Sequence, residues 1–78
     1  MTDQPRPPLH DGKRLRRRRT AKGLTIPQLA ERAGLAVGTI SNAENGRDVR
    51  VTSLRAIAGA LDCEIADLMP AETEAVAS

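Results

Sequence analysis

Basic side chains are concentrated in one stretch of the chain, KRLRRRRTAK at residues 13–22, which holds seven of the twelve Lys and Arg residues. The formal net charge of +2 conceals an asymmetry. Residues 1–50 contain eleven basic and five acidic side chains, whereas residues 51–78 contain one basic and five acidic ones. A basic field on one side of a small protein favours a polyanionic partner, with the acidic end pointing away from it.

A second stretch, GLAVGTISNAENG at residues 34–46, offers short polar side chains instead of positive charge. Thr39 and Ser41 carry hydroxyl groups and Asn42 carries an amide, so all three can donate and accept hydrogen bonds. The stretch contains no Arg, Lys or Gln, the long side chains that usually reach the edges of bases. Any contact that it makes with a nucleic acid is therefore a short-range one.

The composition excludes several classes of protein. The 78 residues suffice for one small domain, and its core must be aliphatic because the chain has no Phe, Tyr or Trp. No apolar run approaches the ~18 residues of a membrane span, and the N-terminus has no apolar core of a signal peptide. We therefore expect a cytoplasmic protein with no membrane partner. The single cysteine, Cys63, cannot form an internal disulfide, and we interpret it as a small buried hydrophobic residue.

No group of side chains suggests catalysis. The sequence shows no nucleophile–base pair, no Gly-rich phosphate loop and no cluster of metal ligands, and the one histidine, His10, stands alone. We predict that the protein is not an enzyme and that it uses no cofactor, no metal and no evident small-molecule ligand.

Both ends of the chain are predicted to be disordered, because neither shows hydrophobic periodicity. Residues 1–11 would form an N-terminal arm that contains three prolines, and residues 70–78 an acidic tail that begins with a proline. The domain between them covers residues 12–69. No segment of it alternates like a strand, so the predicted fold class is all-α.

Five short helices are predicted within this domain. They cover about 12–22, 26–33 and 37–44, then part of 51–63, and finally about 64–69. Asp11 is the expected N-cap of the first helix, Thr25 and Gln28 have the spacing of a capping box, and Thr52 or Ser53 would cap the fourth helix. The second and third helices, joined by a tight glycine turn, have the spacing of a helix-turn-helix.

Apolar residues at helical spacing predict the core. They are Leu29, Ala30, Ala33, Leu35, Ile40, Ala43, Leu54, Ile57, Ala58, Leu61, Ile65, Leu68 and Met69.

The sequence GLTIPQLAERAGLAVGTISNAENG, followed by LRAIAGALDCEIADLM, resembles the Cro/CI-like (XRE-type) helix-turn-helix regulators. The resemblance covers about residues 12–69, and its most specific elements are Leu29-Ala30, Gly34, Ile40-Ser41 and Glu44-Asn45-Gly46. It implies a lambda-repressor-like bundle of five helices that binds double-stranded operator DNA, usually as a symmetric dimer. The third helix of the family enters the major groove.

The resemblance, together with the chemistry of the side chains, assigns roles to individual residues. Base readout is predicted for Val37, Gly38, Ser41 and Asn42. Phosphate contacts are predicted for Arg14, Arg17, Arg18, Thr39, Asn45, Arg47, Arg50 and the backbone N–H of Ile26. Arg19 matches a helix-1 arginine of the family that pairs with a glutamate at the end of helix 3, here Glu44.

The sequence departs from the family at three of these elements. Ile26 stands where the family often has a glutamine that contacts a phosphate, so only the backbone N–H remains to donate. Arg18 occupies a position that is usually apolar, so its charge must reach solvent or a phosphate. Ala36 replaces the common Ser or Thr cap of helix 3, which loses about 1 kcal/mol of capping.

We therefore expect a sequence-specific DNA-binding transcriptional regulator, a repressor rather than an activator, that binds a near-palindromic operator as a homodimer. Two alternatives stay open. The same fold can serve as a protein-interaction module, such as the antitoxin partner of a toxin, and the arginine run can bind nucleic acid without sequence preference.

Overall fold

The structure, a computed structural model, describes residues 10–69 of the chain. Four α-helices follow one another: α1 (Gly12–Ala21), α2 (Ile26–Ala33), α3 (Val37–Glu44) and α4 (Val51–Ala60). One turn of 3₁₀ helix, Ile65–Leu68, ends the described part. Residues 10–69 contain no β-strand, so this part of the chain is all-α as predicted.

Local signals account for where α2 and α3 begin and end. The Thr25 hydroxyl accepts the Gln28 backbone N–H, and the Gln28 side chain accepts the Thr25 N–H, which completes the predicted capping box. Gly34 ends α2 with a φ of 70°, a left-handed conformation that glycine adopts without steric cost. Ala36 precedes α3 and makes no side-chain capping bond, as its side chain predicts.

The predicted fifth α-helix is wrong. Residues 65–68 form only a single 3₁₀ turn, and Met69 after it is extended, with φ −87° and ψ 159°. The residue that follows Met69 is Pro70, and a proline disfavours the helical conformation in the residue before it. A helix that continues beyond Leu68 is therefore disfavoured.

The predicted start of the fourth helix is also wrong. The helix begins at Val51, and its N-cap is Arg50, which makes no side-chain capping bond. The Leu54 N–H donates to the Arg50 carbonyl at 3.0 Å, so Thr52 and Ser53 lie inside the first turn. Leu54 is fully buried, as its helical spacing predicted.

The core is aliphatic and lies between α1, α2, α3, α4 and the 3₁₀ turn. Its largest fully buried side chains are Leu15, Leu29, Ile40, Leu54, Ile57, Leu61 and Leu68. Helix α2 packs on α3 and α4, whereas α1 packs on α3 and on the 3₁₀ turn. The helix-turn-helix thus has α4 behind α2 and α1 behind α3.

His10 does not belong to a disordered arm. Its side chain is only 2% exposed, and its ring Nε2 lies 2.8 Å from the Ala43 carbonyl oxygen. Asp11 is also ordered, because its carboxylate accepts the Lys13 N–H as the predicted N-cap of α1. The rest of the predicted arm, residues 1–9, and the predicted tail, residues 70–78, lie outside the described residues.

Candidate nucleic-acid interface

Helix α3 buries one side and exposes the other. Ile40 and Ala43 are fully buried, because they are three residues apart and so share one face of the helix. Val37 is 49% exposed, one of two large hydrophobic residues in residues 10–69 with such exposure. Gly38 and Asn42 are also exposed, and Ser41 is half-buried.

The exposed side of α3 borders an open groove of about 350 Å³. Its lining combines α3, the loop after it and the start of α4: Thr39, Asn42, Asp48, Val49, Arg50 and Ser53. The fold therefore brings a predicted base-reading residue, Asn42, into the same groove as two predicted phosphate ligands, Thr39 and Arg50. Asn45 and Arg47 lie in the loop that follows α3, and both are exposed.

Asp48 is a groove residue that sequence reasoning missed. It is exposed and contributes a carboxylate to a groove that otherwise holds neutral polar groups, a valine and Arg50. The sequence offers no signal for it, since an acid in a polar loop is ordinary. A carboxylate there accepts hydrogen bonds from amino groups and repels phosphates.

The basic residues of α1 line a different groove. Arg14, Arg17 and Arg18 share it with Asp67 of the 3₁₀ turn, and no residue of α3 lines it. Arg18 Nη2 lies 3.6 Å from the Asp67 carboxylate, and Arg14 Nε lies 3.7 Å from that of Asp11. Arg18 thus reaches solvent, as its position required. The fold does not bring these three arginines into the groove beside α3.

Arg19 joins α1 to the end of α3. Its Nε and Nη2 atoms both donate to the Glu44 carboxylate, the second at 3.0 Å, and its Nη1 donates to the Leu24 carbonyl at 2.7 Å. The two side chains are only 11% and 6% exposed. Hydrogen bonding to Glu44 raises the pKa of Arg19, which keeps its charge. This pair has the structure that the resemblance implied, and it holds α3 against α1.

Ile26 is the first residue of α2, so its backbone N–H lies at the N-terminus of that helix. The first N–H groups of a helix have no intrahelical acceptor. The geometry therefore leaves this donor available, as the predicted phosphate contact requires.

The sequence model of the helix-turn-helix family matches residues 15–68. The chain therefore belongs to this helix-turn-helix family, in agreement with its resemblance to the Cro/CI-like (XRE-type) regulators. No curated protein sequence matches the chain. In the described residues, no helix has the length and apolar character needed to cross a membrane.

Solved structures of several regulators are similar to this one. The restriction-modification controller protein C.AhdI from Aeromonas hydrophila has a TM-score of 0.71 and 41% identity, over 74% of this chain and 89% of that chain. The clp gene regulator ClgR from Corynebacterium glutamicum has a TM-score of 0.65 and 35% identity, over 72% of this chain and 74% of that chain.

The biofilm master regulator SinR from Bacillus subtilis is similar in two complexes. Bound to DNA, it has a TM-score of 0.66 and 28% identity, over 70% of this chain and 90% of that chain. Bound to the SinI protein, it has a TM-score of 0.73 and 27% identity, over 83% of this chain and 65% of that chain.

Proposed function

We propose that this protein is a DNA-binding transcriptional regulator, not an enzyme, and that α3 is its recognition helix. The observation that carries the proposal is the two-sided character of α3 within a helix-turn-helix fold. Its buried side is anchored by Ile40 and Ala43, while Val37 and Asn42 face solvent beside a polar groove. The regulators with similar structures, one of them solved on DNA, support it.

The short side chains of α3 suit close-range reading of A·T base pairs. Asn42 can pair with N6 and N7 of adenine, a contact worth about 1–3 kcal/mol of discrimination. Val37 can contact a thymine methyl group, and Gly38 lets the helix backbone approach the bases. Ser41 is half-buried, so its hydroxyl reaches only a base edge that comes close to the helix. DNA shape supplements this modest direct readout.

Phosphate contacts supply most of the affinity. One set of ligands combines the half-buried Thr39 of α3, the exposed Asn45, Arg47 and Arg50 that follow it, and the Ile26 N–H. The second set, Arg14, Arg17 and Arg18, lies in the groove of α1. Arg18 and Arg14 have carboxylate neighbours at 3.6 and 3.7 Å, so Asp67 and Asp11 compete with a phosphate for these two side chains.

The regulator binds as a homodimer to a near-palindromic operator in the cytoplasm and acts as a repressor by occlusion. Two copies of α3 would then enter major-groove half-sites roughly 34–36 Å apart. The complex of SinR with SinI supports a protein partner as a second mode of control.

Selection of binding sites from a random DNA pool, at about 150 mM salt, tests the proposal. We expect an enriched two-fold-symmetric motif. Asn42→Ala should lower affinity for that motif about 5- to 150-fold, and the effect should vanish when the contacted adenine is replaced. Binding with no enriched motif would leave a non-specific basic protein and would overturn the proposal.

Salt dependence separates the two sets of phosphate ligands. A substitution that removes one phosphate contact from each protomer removes two from the dimer, so the magnitude of the slope of log K against log salt should fall by about 1.8, at about 0.9 per contact. We expect that reduction for Arg50→Gln and, if α1 touches DNA, for Arg18→Gln. Arg32→Gln is the charge-matched control, because Arg32 is exposed in the last turn of α2 and lines neither groove.

A further inference from the structure

The segment that enters α1 contacts the last turn of α3. His10 precedes α1 by two residues and is almost completely buried. Its Nε2 lies 2.8 Å from the Ala43 carbonyl oxygen, 33 residues away in the chain. A carbonyl oxygen only accepts, so the ring nitrogen that faces it carries the hydrogen and donates.

The same carbonyl also ends the recognition helix. The Gly46 N–H donates to the Ala43 oxygen at 3.2 Å, and the Arg47 N–H donates to the neighbouring Asn42 oxygen at 2.9 Å. His10 therefore bonds to the turn that directs the chain from Asn42, a predicted base reader, to Arg47, a predicted phosphate ligand.

Backbone contacts hold His10 in place. The Asp11 N–H donates to the Leu68 carbonyl at 2.7 Å, which ties the segment to the 3₁₀ turn. Gly12 lies so close to α3 that a Cβ atom on it would be 2.5 Å from the Glu44 oxygen and 2.7 Å from the Ala43 oxygen. The segment therefore contacts both the 3₁₀ turn and the end of α3.

A histidine at this position also carries a cost to the fold. The other ring nitrogen, Nδ1, is buried and has no hydrogen-bond partner among the described residues. A buried polar atom without a partner is costly, and an apolar side chain of similar size would avoid that cost. What the imidazole provides and an apolar side chain cannot is a directed bond to the end of α3.

We infer that His10 is a positioning residue for DNA recognition. It lies outside the helix-turn-helix and acts through Ala43, whose carbonyl it holds. By fixing the last turn of α3, it fixes how Asn42 and Arg47 are presented to the same stretch of DNA. The inference rests on the proposed function, in which α3 reads bases.

Two amide variants and one apolar variant test the role of His10. In His10→Gln the side-chain N–H reaches about as far as Nε2, whereas in His10→Asn it stops near the place of Nδ1. His10→Leu fills similar space without a donor. For each protein we would measure the thermal midpoint, the Kd for the selected site, the Kd for unrelated DNA, and amide hydrogen exchange at residues 45–47.

The expected result separates specificity from stability. His10→Leu and His10→Asn should bind the selected site more weakly, by about fivefold for each half-site, the usual effect of removing one hydrogen bond. Their binding to unrelated DNA should stay within about twofold of the unmodified protein, since phosphate contacts carry no sequence information. His10→Gln should restore most of the specific affinity. If His10→Leu does not fold, the comparison of the Asn and Gln variants tests the role of His10.

A changed thermal midpoint with an unchanged ratio of specific to non-specific affinity would overturn the inference and leave His10 a structural residue. If the unmodified protein shows no sequence preference, the proposed function fails, and hydrogen exchange then decides about His10. Faster exchange at residues 45–47 in the Asn variant, reversed in the Gln variant, would support the part of the inference that does not involve DNA, namely that His10 fixes the end of α3. Equal exchange in both variants would overturn it.

Discussion

Replacing Gly12 by alanine should destabilise the fold, although alanine is the better helix former. The first residue of α1 approaches backbone atoms at the end of α3, and a Cβ atom there would lie 2.5 Å from the Glu44 oxygen, 2.7 Å from the Ala43 oxygen and 2.9 Å from the Glu44 carbonyl carbon. None of these atoms belongs to a flexible side chain. To accept the methyl group, α1 and α3 must therefore move apart.

The size of the effect follows from two opposing contributions. Overpacking a well-packed site typically costs 1–3 kcal/mol, so we take about 2 kcal/mol. The intrinsic preference of a helix for alanine over glycine returns about 0.5–1 kcal/mol at most. The net loss of about 1–2 kcal/mol corresponds to a fall of roughly 5–15 °C in the thermal midpoint of so small a domain.

Thermal and urea unfolding followed by circular dichroism measure this loss. Gly59→Ala is the matched control, because Gly59 lies in α4 and a Cβ atom on it would meet nothing within 4 Å. The control should keep or raise the free energy of unfolding, by up to about 1 kcal/mol. If Gly12→Ala behaves like the control, the close approach of α1 to α3 is wrong.

Three further changes probe other parts of the molecule. Gly38→Ala adds a methyl group that has no atom within 4 Å. Urea unfolding should therefore show an unchanged or higher free energy of unfolding, while affinity for the selected site falls. Unchanged affinity would show that Gly38 is not part of the interface. Arg19→Met leaves the Glu44 carboxylate buried without its partner and should cost about 3–5 kcal/mol in urea unfolding, whereas a loss below about 1 kcal/mol would show that the pair is not buried in solution. Burial raises the pKa of the Cys63 thiol, and the thiolate is the nucleophile. Iodoacetamide at mildly alkaline pH should therefore modify the folded protein more slowly than the urea-unfolded one. Equal rates would contradict the burial of Cys63.

Much of the fold follows from signals that act over a few residues. The ends of α2 could be predicted from the sequence, because the Thr25–Gln28 capping box and the left-handed Gly34 each act on backbone groups of the adjacent helix end. The periodic spacing of apolar residues predicted that Ile40 and Leu54 lie in the core, because helical spacing decides which side chains share a face. Where a local signal was weak, at the start of α4 and in the last 3₁₀ turn, the prediction was wrong.

The candidate interface could be predicted from the sequence only in part. The exposed side of α3 follows from helical spacing and the resemblance to the family. The pair of Arg19 with Glu44 follows from the resemblance alone. The roles of Val37, Gly38, Ser41 and Asn42 towards bases stay predictions. Nothing in the sequence shows that Asp48 joins Asn42 in one groove, because a side chain in a loop carries no periodicity.

The tertiary structure alone decided the contacts between distant segments. His10 follows a proline-rich stretch and is not part of any periodic pattern of apolar residues. Packing of α1 on α3 nevertheless buries it against Ala43. Arg18 faces Asp67 because the 3₁₀ turn folds back onto α1. A sequence signal reports on backbone geometry within a turn or two of helix, whereas these contacts join residues far apart in the chain, 33 positions in the case of His10 and Ala43. They form only when whole helices are placed against each other.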